Sequence, residues 1–382
     1  MKIVAVSQGW EGHNNRPTFG RDKTEGPMLN LELVRGPLSD QDYRTIFAEF
    51  TRLRRGRESE HFMRRWCKDS PAGPALHALL RTDEGKIVGH ACVFPFPIEV
   101  AGRRVTGAKG TYLFVHEDFR REPVRGMEAD RWRASTFMLQ QLFRHATEQL
   151  TWDPILMSPR PSVERPLQEA GCRPLMFTPF ECLLIRRPWN ACRLTPNLSR
   201  AKRLALLLLG LPQTCIWAVL RVLLAPLGRN IQSLPMDANC PSLGDREKAH
   251  FSSDPEYLSW RYPVEGFRRF GFAKRPNEYV ITEKGSPDNY VRICQSNLDS
   301  LEFPVLSLIV GLMEQARSSD ALGVRWGIYG NGRPPAAVVN KLTRLGFVCA
   351  RRQRKFCIYT RHEELADPSF WSFDDSLFTF LE

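Results

Sequence analysis

The chain alternates between stretches with a two-residue apolar period and stretches with a three-to-four-residue period, and the switches between them mark its elements. "LNLELVRGPLS" reads as a strand, and "DQDYRTIFAEFTRLRR" follows it with Tyr43, Ile46, Phe47 and Phe50 at helical spacing and Ser39 or Asp40 placed to cap. "SEHFMRRWCKD" predicts a second helix. Residues 75–115 then read as a meander of three antiparallel strands with breaks at "DEGK", at Ala101-Gly102 and at "GAKG". "RASTFMLQQLFRHATEQL" is an amphipathic helix with Phe137, Leu139, Leu142, Phe143 and Ala146 on one face. "PILMS" is a short strand, "SVERPLQEAGC" a helix closed by Gly171, and "PFECLLIRR" a further strand. The order is strand, two helices, three strands, helix, strand, helix, strand, which predicts a mixed α/β domain.

The second half repeats the end of that order, with "VRWGIYG" as a strand, "PPAAVVNKLTRLGF" as a helix ended by Gly346, and "RRQRKFCIYT" as a strand. When "LQEAGC" is aligned with "LTRLGF", Gly171 precedes Cys182 by the same interval as Gly346 precedes Cys357. Helix, cap and strand match together, which predicts an internal duplication with the two cysteines on equivalent strands.

Between the halves lies "RAKRLALLLLGLPQTCIWAVLRVLLAPLGRN", in which Arg221 is the only charge from Leu204 to Leu227. Its length would cross a bilayer, but Gly210 to Thr214, with Pro212 at the centre, predicts two short helices with a bend. Three readings stand: an in-plane membrane anchor over 200–229 with Arg200, Lys202, Arg203 and Arg229 at the headgroups, a re-entrant hairpin, or a helix pair docked on the domains.

Composition adds a net charge of +12 and a pI near 9.4, which favour an anionic partner, a phosphorylated cofactor, a membrane surface or nucleic acid, without choosing among them. The start, "MKIVAVSQGW", lacks the apolar core of a signal peptide, so a cytoplasmic protein is expected, peripheral on the inner membrane under the anchor reading. The ten cysteines form no C-x-x-C pair and no Cys/His cluster with zinc spacing; free core thiols and no metal are expected. "RRQRK" at 351–355 has no supporting module, so no nucleic acid is expected.

One stretch points to chemistry. In "TYLFVHEDFRREPVRGM", a strand ending at Phe114 and Val115 runs into a basic turn with Arg120, Arg121, Arg125 and Gly126. A strand that enters a basic turn and then a helix is one way to build a phosphate site. Pro123 removes one backbone donor from that turn.

The element order, the Leu-Gly-Phe type helix end and this turn resemble the GCN5-related N-acetyltransferase family, over roughly 30–189 and again over 241–382. "DPEYLSWRYP" (254–263) and the tail "WSFDDSLFTFLE" look like tandem acyltransferase-like proteins associated with bacterial surface-polysaccharide synthesis. The resemblance implies a flexible arm over 1–29, a first domain over 30–189, an apolar helical linker over 190–240 and a second domain over 241–382. It implies acetyl-CoA or another acyl-CoA held at Phe114, Val115, Arg120, Arg121, Arg125 and Gly126, and acyl transfer to an amine on a polysaccharide or amino-sugar precursor. The alternative is an inactive scaffold or binding subunit of a glycan-assembly complex. For acid and base, Ser158, Glu181 and Tyr329 are the candidates; an outward strand position for Glu181 and a packed tyrosine are the plain readings. Trp260, Arg261 and Tyr262 offer an arginine between aromatics, either to stack on a sugar and bind an anion or to pack inward.

Overall fold

The alternating apolar pattern of the first half folds into strands and helices in the expected order. In chain order these are β1 (Asn30–Arg35), α1 (Asp40–Arg54), α2 (Glu60–Lys68), β2 (Leu76–Arg81), β3 (Ile87–Val100), β4 (Arg103–Val115), α3 (Ala134–Glu148), β5 (Ile155–Met157), α4 (Pro161–Glu169), β6 (Arg173–Phe177) and β7 (Phe180–Ile185). Helices α5 (Pro188–Leu194) and α6 (Arg200–Leu224) follow. The rest comprises β8 (Ile231–Leu234), β9 (Ala249–Phe251), α7 (Pro255–Arg261), β10 (Phe267–Phe272), β11 (Arg275–Glu283), β12 (Val291–Ser296), α8 (Pro304–Ser318), β13 (Gly323–Ile328), α9 (Pro335–Arg344), β14 (Val348–Arg351) and β15 (Arg354–Tyr359). The computed structural model describes residues 28–371 except 55–59, 128–132, 160, 178, 195–198, 225, 227–230, 238–247, 253, 273–274, 284–288, 297–303, 329–334 and 352. Tyr329, nearly all of the N-terminal arm, and the C-terminal tail after Trp371 lie outside the described residues.

Two mixed sheets result. The first runs β1-β2-β3-β4-β5-β15-β6, and the second β14-β7-β13-β12-β11-β10-β8. Side-chain alternation divides the first sheet cleanly. Leu79, Cys92, Phe94, Tyr112 and Phe114 meet Tyr43, Ile46 and Phe50 of α1 and Met63 of α2 on one face. Leu80, Ala91 and Val93 meet Met138, Leu142 and Phe143 of α3 on the other. Ser39 caps α1, its hydroxyl accepting from the Asp42 N–H at 3.1 Å.

The duplication appears with an exchange. Strand β7, from the first half, lies between β13 and β14, with Cys182 opposite Trp326 and Cys349. Strand β15, from the second half, lies between β5 and β6, with Cys357 opposite Met157 and Pro174. The two cysteines hold matching places, each in the other half's sheet. The helix ends before them also match: Cys172 N–H donates to Leu167 O and Phe347 N–H to Leu342 O, with Gly171 and Gly346 both at positive φ. Beyond the linker, β9 pairs with β3 at Ile98–Val100, so this piece of the later sequence extends the first sheet.

Three sequence expectations are corrected. "GAKG" does not break the meander: β4 continues through it, and its glycines admit a neighbour, since a Cβ at Gly110 would come within 2.6 Å of Met157 and one at Gly107 within 3.2 Å of Pro154 O. The cysteines are not all thiols, because the exchange sets Cys182 opposite Cys349 and the two are joined as a disulfide. The linker forms one continuous helix, α6, with Pro212 inside it. Pro212 and Leu208 both face outward, so the carbonyl that loses its donor lies on the solvent side. The opposite side of α6 is docked: the Gln213 amide accepts from Ile185 N–H at 2.9 Å and donates to Gly346 O at 2.7 Å, Trp217 is buried, and Gly210 lies against Pro188. Among the described residues no helix is long and apolar enough to cross a membrane.

Candidate functional site

Strands β4 and β5 run parallel and pair only at Ala108–Ile155 and Lys109–Leu156. Beyond those pairs they part. A bulge in β4 shifts its register against β3 between His90 and Cys92, and Tyr112 there takes a φ of 53°. The fork so formed opens into a cleft of about 920 Å³. Lys109 to Val115 form one wall, and Met157, Ser158 and Pro159 begin the other.

Helix α3 starts at the mouth of this fork. Its N-cap, Arg133, makes no side-chain bond to the first-turn amides, and such a helix start suits an anion. Arg133 and Ser135 both line the cleft. Arg120 and Arg121 line it from the preceding turn, and Arg120 Nε donates to Val115 O at 3.3 Å. The charged groups of the mouth are completed by Glu117, Asp118 and Glu122.

Five expected site residues therefore converge here: Phe114, Val115, Arg120, Arg121 and Ser158. Arg125 and Gly126 do not. The chain turns aside after Glu122: Leu29 N–H donates to Pro123 O, Arg125 N–H donates to Leu29 O, and the Arg125 guanidinium lies 3.7 Å from Asp83. Gly126, at a φ of 84°, closes that turn and does not open the helix. Arg133 and Ser135 were missed because the phosphate site was placed at the 120–126 turn, although "RASTFMLQQLFRHATEQL" already marked where the helix starts.

Glu181 belongs to the second sheet. It sits on β7 and pairs with Arg325 at 3.2 Å and with Arg354. Burial alone would raise its carboxyl, but the Arg325 and Arg354 guanidiniums outweigh burial and hold it below the usual carboxylate range. A carboxylate so engaged is a poor base, and its place is structural. Trp260, Arg261 and Tyr262 are all buried on or just after α7. The Arg261 guanidinium lies over the rings of Phe251, Tyr257 and Tyr262 and donates to Tyr257 Oη at 3.0 Å. Trp260 packs edge-on against Trp66 of α2, with ring centroids 4.9 Å apart, and Arg104 of β4 pairs with Asp254, the cap of α7, at 2.7 Å. "DPEYLSWRYP" thus walls the first half on its α1–α2 face.

The sequence matches no family profile and no curated protein. Solved structures do resemble it. A GCN5-related N-acetyltransferase from Kribbella flavida aligns over 87% of this chain and 71% of its own, with 11% identity and a TM-score of 0.50. One from Anabaena variabilis covers 86% and 72%, with 12% identity and a TM-score of 0.48. A tandem GNAT protein from the clavulanic acid biosynthesis pathway covers 86% and 98%, with 14% identity and a TM-score of 0.46. The fold is that of the GCN5-related N-acetyltransferases. Beyond Lys109 and Leu156 the two parallel strands of this fold no longer pair with each other. The cleft described above occupies that fork.

Proposed function

We propose that the protein is an acyl-CoA-dependent N-acyltransferase whose chemistry takes place in the β4–β5 fork. The observation that carries this reading is the convergence of an open strand edge, the uncapped amides of α3 and three arginines, Arg120, Arg121 and Arg133, on one cleft. These residues suit coenzyme A: Gly110 lets Met157 lie against β4 at the base of the fork, the edge of β4 beyond Lys109 faces the cleft where the amides of a pantetheine arm would run, and the arginines with the helix start match its phosphates. When bound, acyl-CoA supplies the thioester whose acyl group is transferred. Glu117, Asp118 or Glu122 takes the proton of the acceptor ammonium, and Ser158 Oγ is the hydroxyl that returns one on the β5 side.

The acceptor is an amino group of a surface-polysaccharide or amino-sugar precursor, a choice supported by the likeness of residues 254–263 to tandem acyltransferase-like proteins of that process. The outer side of α6 leaves Leu204, Leu208, Leu211, Val219, Val222 and Leu223 exposed, with Arg200 and Arg203 at its start, which suits an anionic membrane surface on the same side as such a precursor. The test is calorimetric titration of the full chain with acetyl-CoA, followed by transfer assays on amino sugars. Binding that Arg120→Ala with Arg121→Ala weakens supports the site, and no binding at all rejects it. A second reading, a binding subunit without transfer, draws on the turn at 123–126, which leads away from the cleft; acyl-CoA binding with no product on any amine would select it.

A further inference from the structure

Behind the bulge of β4, on the α1–α2 face, three metal-ligating side chains meet in the core. His77 of β2 pairs directly across the strands with Cys92 of β3, and His90 lies two residues before Cys92, so all three share one face. One ligand atom from each lies within 4.8 Å of the others, and all three residues are fully buried.

The details are those of a coordination set. His77 Nδ1 lies 3.1 Å from His90 Nε2, and Cys92 Sγ lies 3.9 Å from Cys67 Sγ of α2. On one tetrahedral zinc the bond lengths would set two nitrogens roughly 3.3 Å apart and two sulfurs roughly 3.8 Å apart. His90 Nδ1 donates to Tyr112 O at 3.0 Å, which fixes the tautomer and leaves Nε2 with its lone pair inward, the support that metal-bound histidines usually have. Nitrogen and thiolate donors in such a closed pocket select zinc or a similar borderline ion over magnesium or calcium.

We propose that His77, His90 and Cys92 hold a zinc-class ion, with Cys67, whose Sγ lies beside Cys92 but outside that three-residue set, drawn in as the fourth donor, and that the ion braces the wall of the cleft from behind. The sequence hides the set, because "HACVF" reads as core and the ligands come from a helix and two strands with no short spacing. The ion touches no substrate. It fixes the Tyr112 carbonyl, and through it the bulge, by way of His90.

The test uses the full chain purified without a histidine tag from zinc-supplemented cells. Elemental analysis is expected to find one zinc per chain. Chelator treatment followed by cobalt should give the visible bands of four-coordinate cobalt and a near-ultraviolet thiolate-to-cobalt band. Cys92→Ser should abolish the thiolate band and the stoichiometric zinc. Because a core substitution can unfold the chain, the wild-type melting temperature is measured as well, and it should fall after chelation and return with zinc. A folded wild-type chain with no bound transition metal, no cobalt spectrum and no response to zinc overturns the proposal.

Discussion

The two halves carry the same fork and have filled it differently. In the first, Ala108–Ile155 is followed by Gly110 on one strand and by Met157 and Ser158 on the other, and the opening is a cleft. In the second, the matching pair Val291–Val324 is followed by Ile293 and by Trp326 and Gly327, with Ile293 and Trp326 both buried. The hydroxyl of the first fork has no counterpart at Gly327, and the glycine that admits a neighbour has become a branched aliphatic side chain. Where the first half gathers arginines at a mouth, the second spends Arg325 and Arg354 on Glu181 of the exchanged strand. Among the described residues the candidate cleft lies in the first copy, while the second turns two arginines to holding the exchanged strand.

The largest effect is expected from separating the halves. A chain ending at residue 240 lacks β15, so β5 and β6 lose the strand between them. It should lose cooperative unfolding by circular dichroism, while co-expression with residues 241–382 should restore a folded complex. A fragment that melts cooperatively alone would show the exchange to be dispensable.

Next is the asymmetry of binding. Replacing Arg120 and Arg121 by alanine should weaken acetyl-CoA affinity at least about tenfold, near 1.4 kcal/mol, with the melting temperature unchanged. Arg351, on β14 over the Phe180 ring, is a control from the second half whose loss should leave affinity intact.

Glu181 sharpens the contrast through stability. Glu181→Gln leaves two guanidiniums facing each other and should destabilise by about 1–3 kcal/mol at neutral pH. Its folded-state pKa lies below the ordinary glutamate value of 4.5, so its contribution is complete above that value and fades as pH falls through the lower one. The difference between wild type and variant in denaturant melts should therefore shrink on acidification, and a constant gap would contradict the ion triad. The smallest effect is on α6: Leu208→Glu with Val222→Glu should reduce co-sedimentation with anionic vesicles and leave the fold untouched. Equal partitioning of both proteins would remove the membrane surface from the proposal.

Much of this was legible. The meander, α3 and the two glycine-capped helices follow from period and punctuation, since Leu139, Leu142 and Phe143 recur at helical spacing and are buried as that spacing requires. Phe114, Val115 and Ser158 were placed at the fork by the resemblance alone. The exchange was not legible, because an apolar strand such as "FECLLI" states that it will be buried between two neighbours and says nothing of whose neighbours they are. The disulfide and the Glu181 pairs were hidden for the same reason. The bend at Pro212 was misjudged because docking by Gln213 and Trp217 outweighs one missing donor on a solvent-facing turn.

The exchanged strands also set a clock. Met157 finds its partner only when Cys357 has been made, and at the usual pace of synthesis that delay is on the order of 10–40 s. Throughout it, β5 and β6 present open edges on a nascent chain, the kind of surface that recruits other strands. The cleft is shaped by some of the earliest ordered residues, yet its sheet is closed by some of the last. Such a protein completes its first sheet only after β15 has been made, and its yield in a cell depends on whatever shields that edge until then.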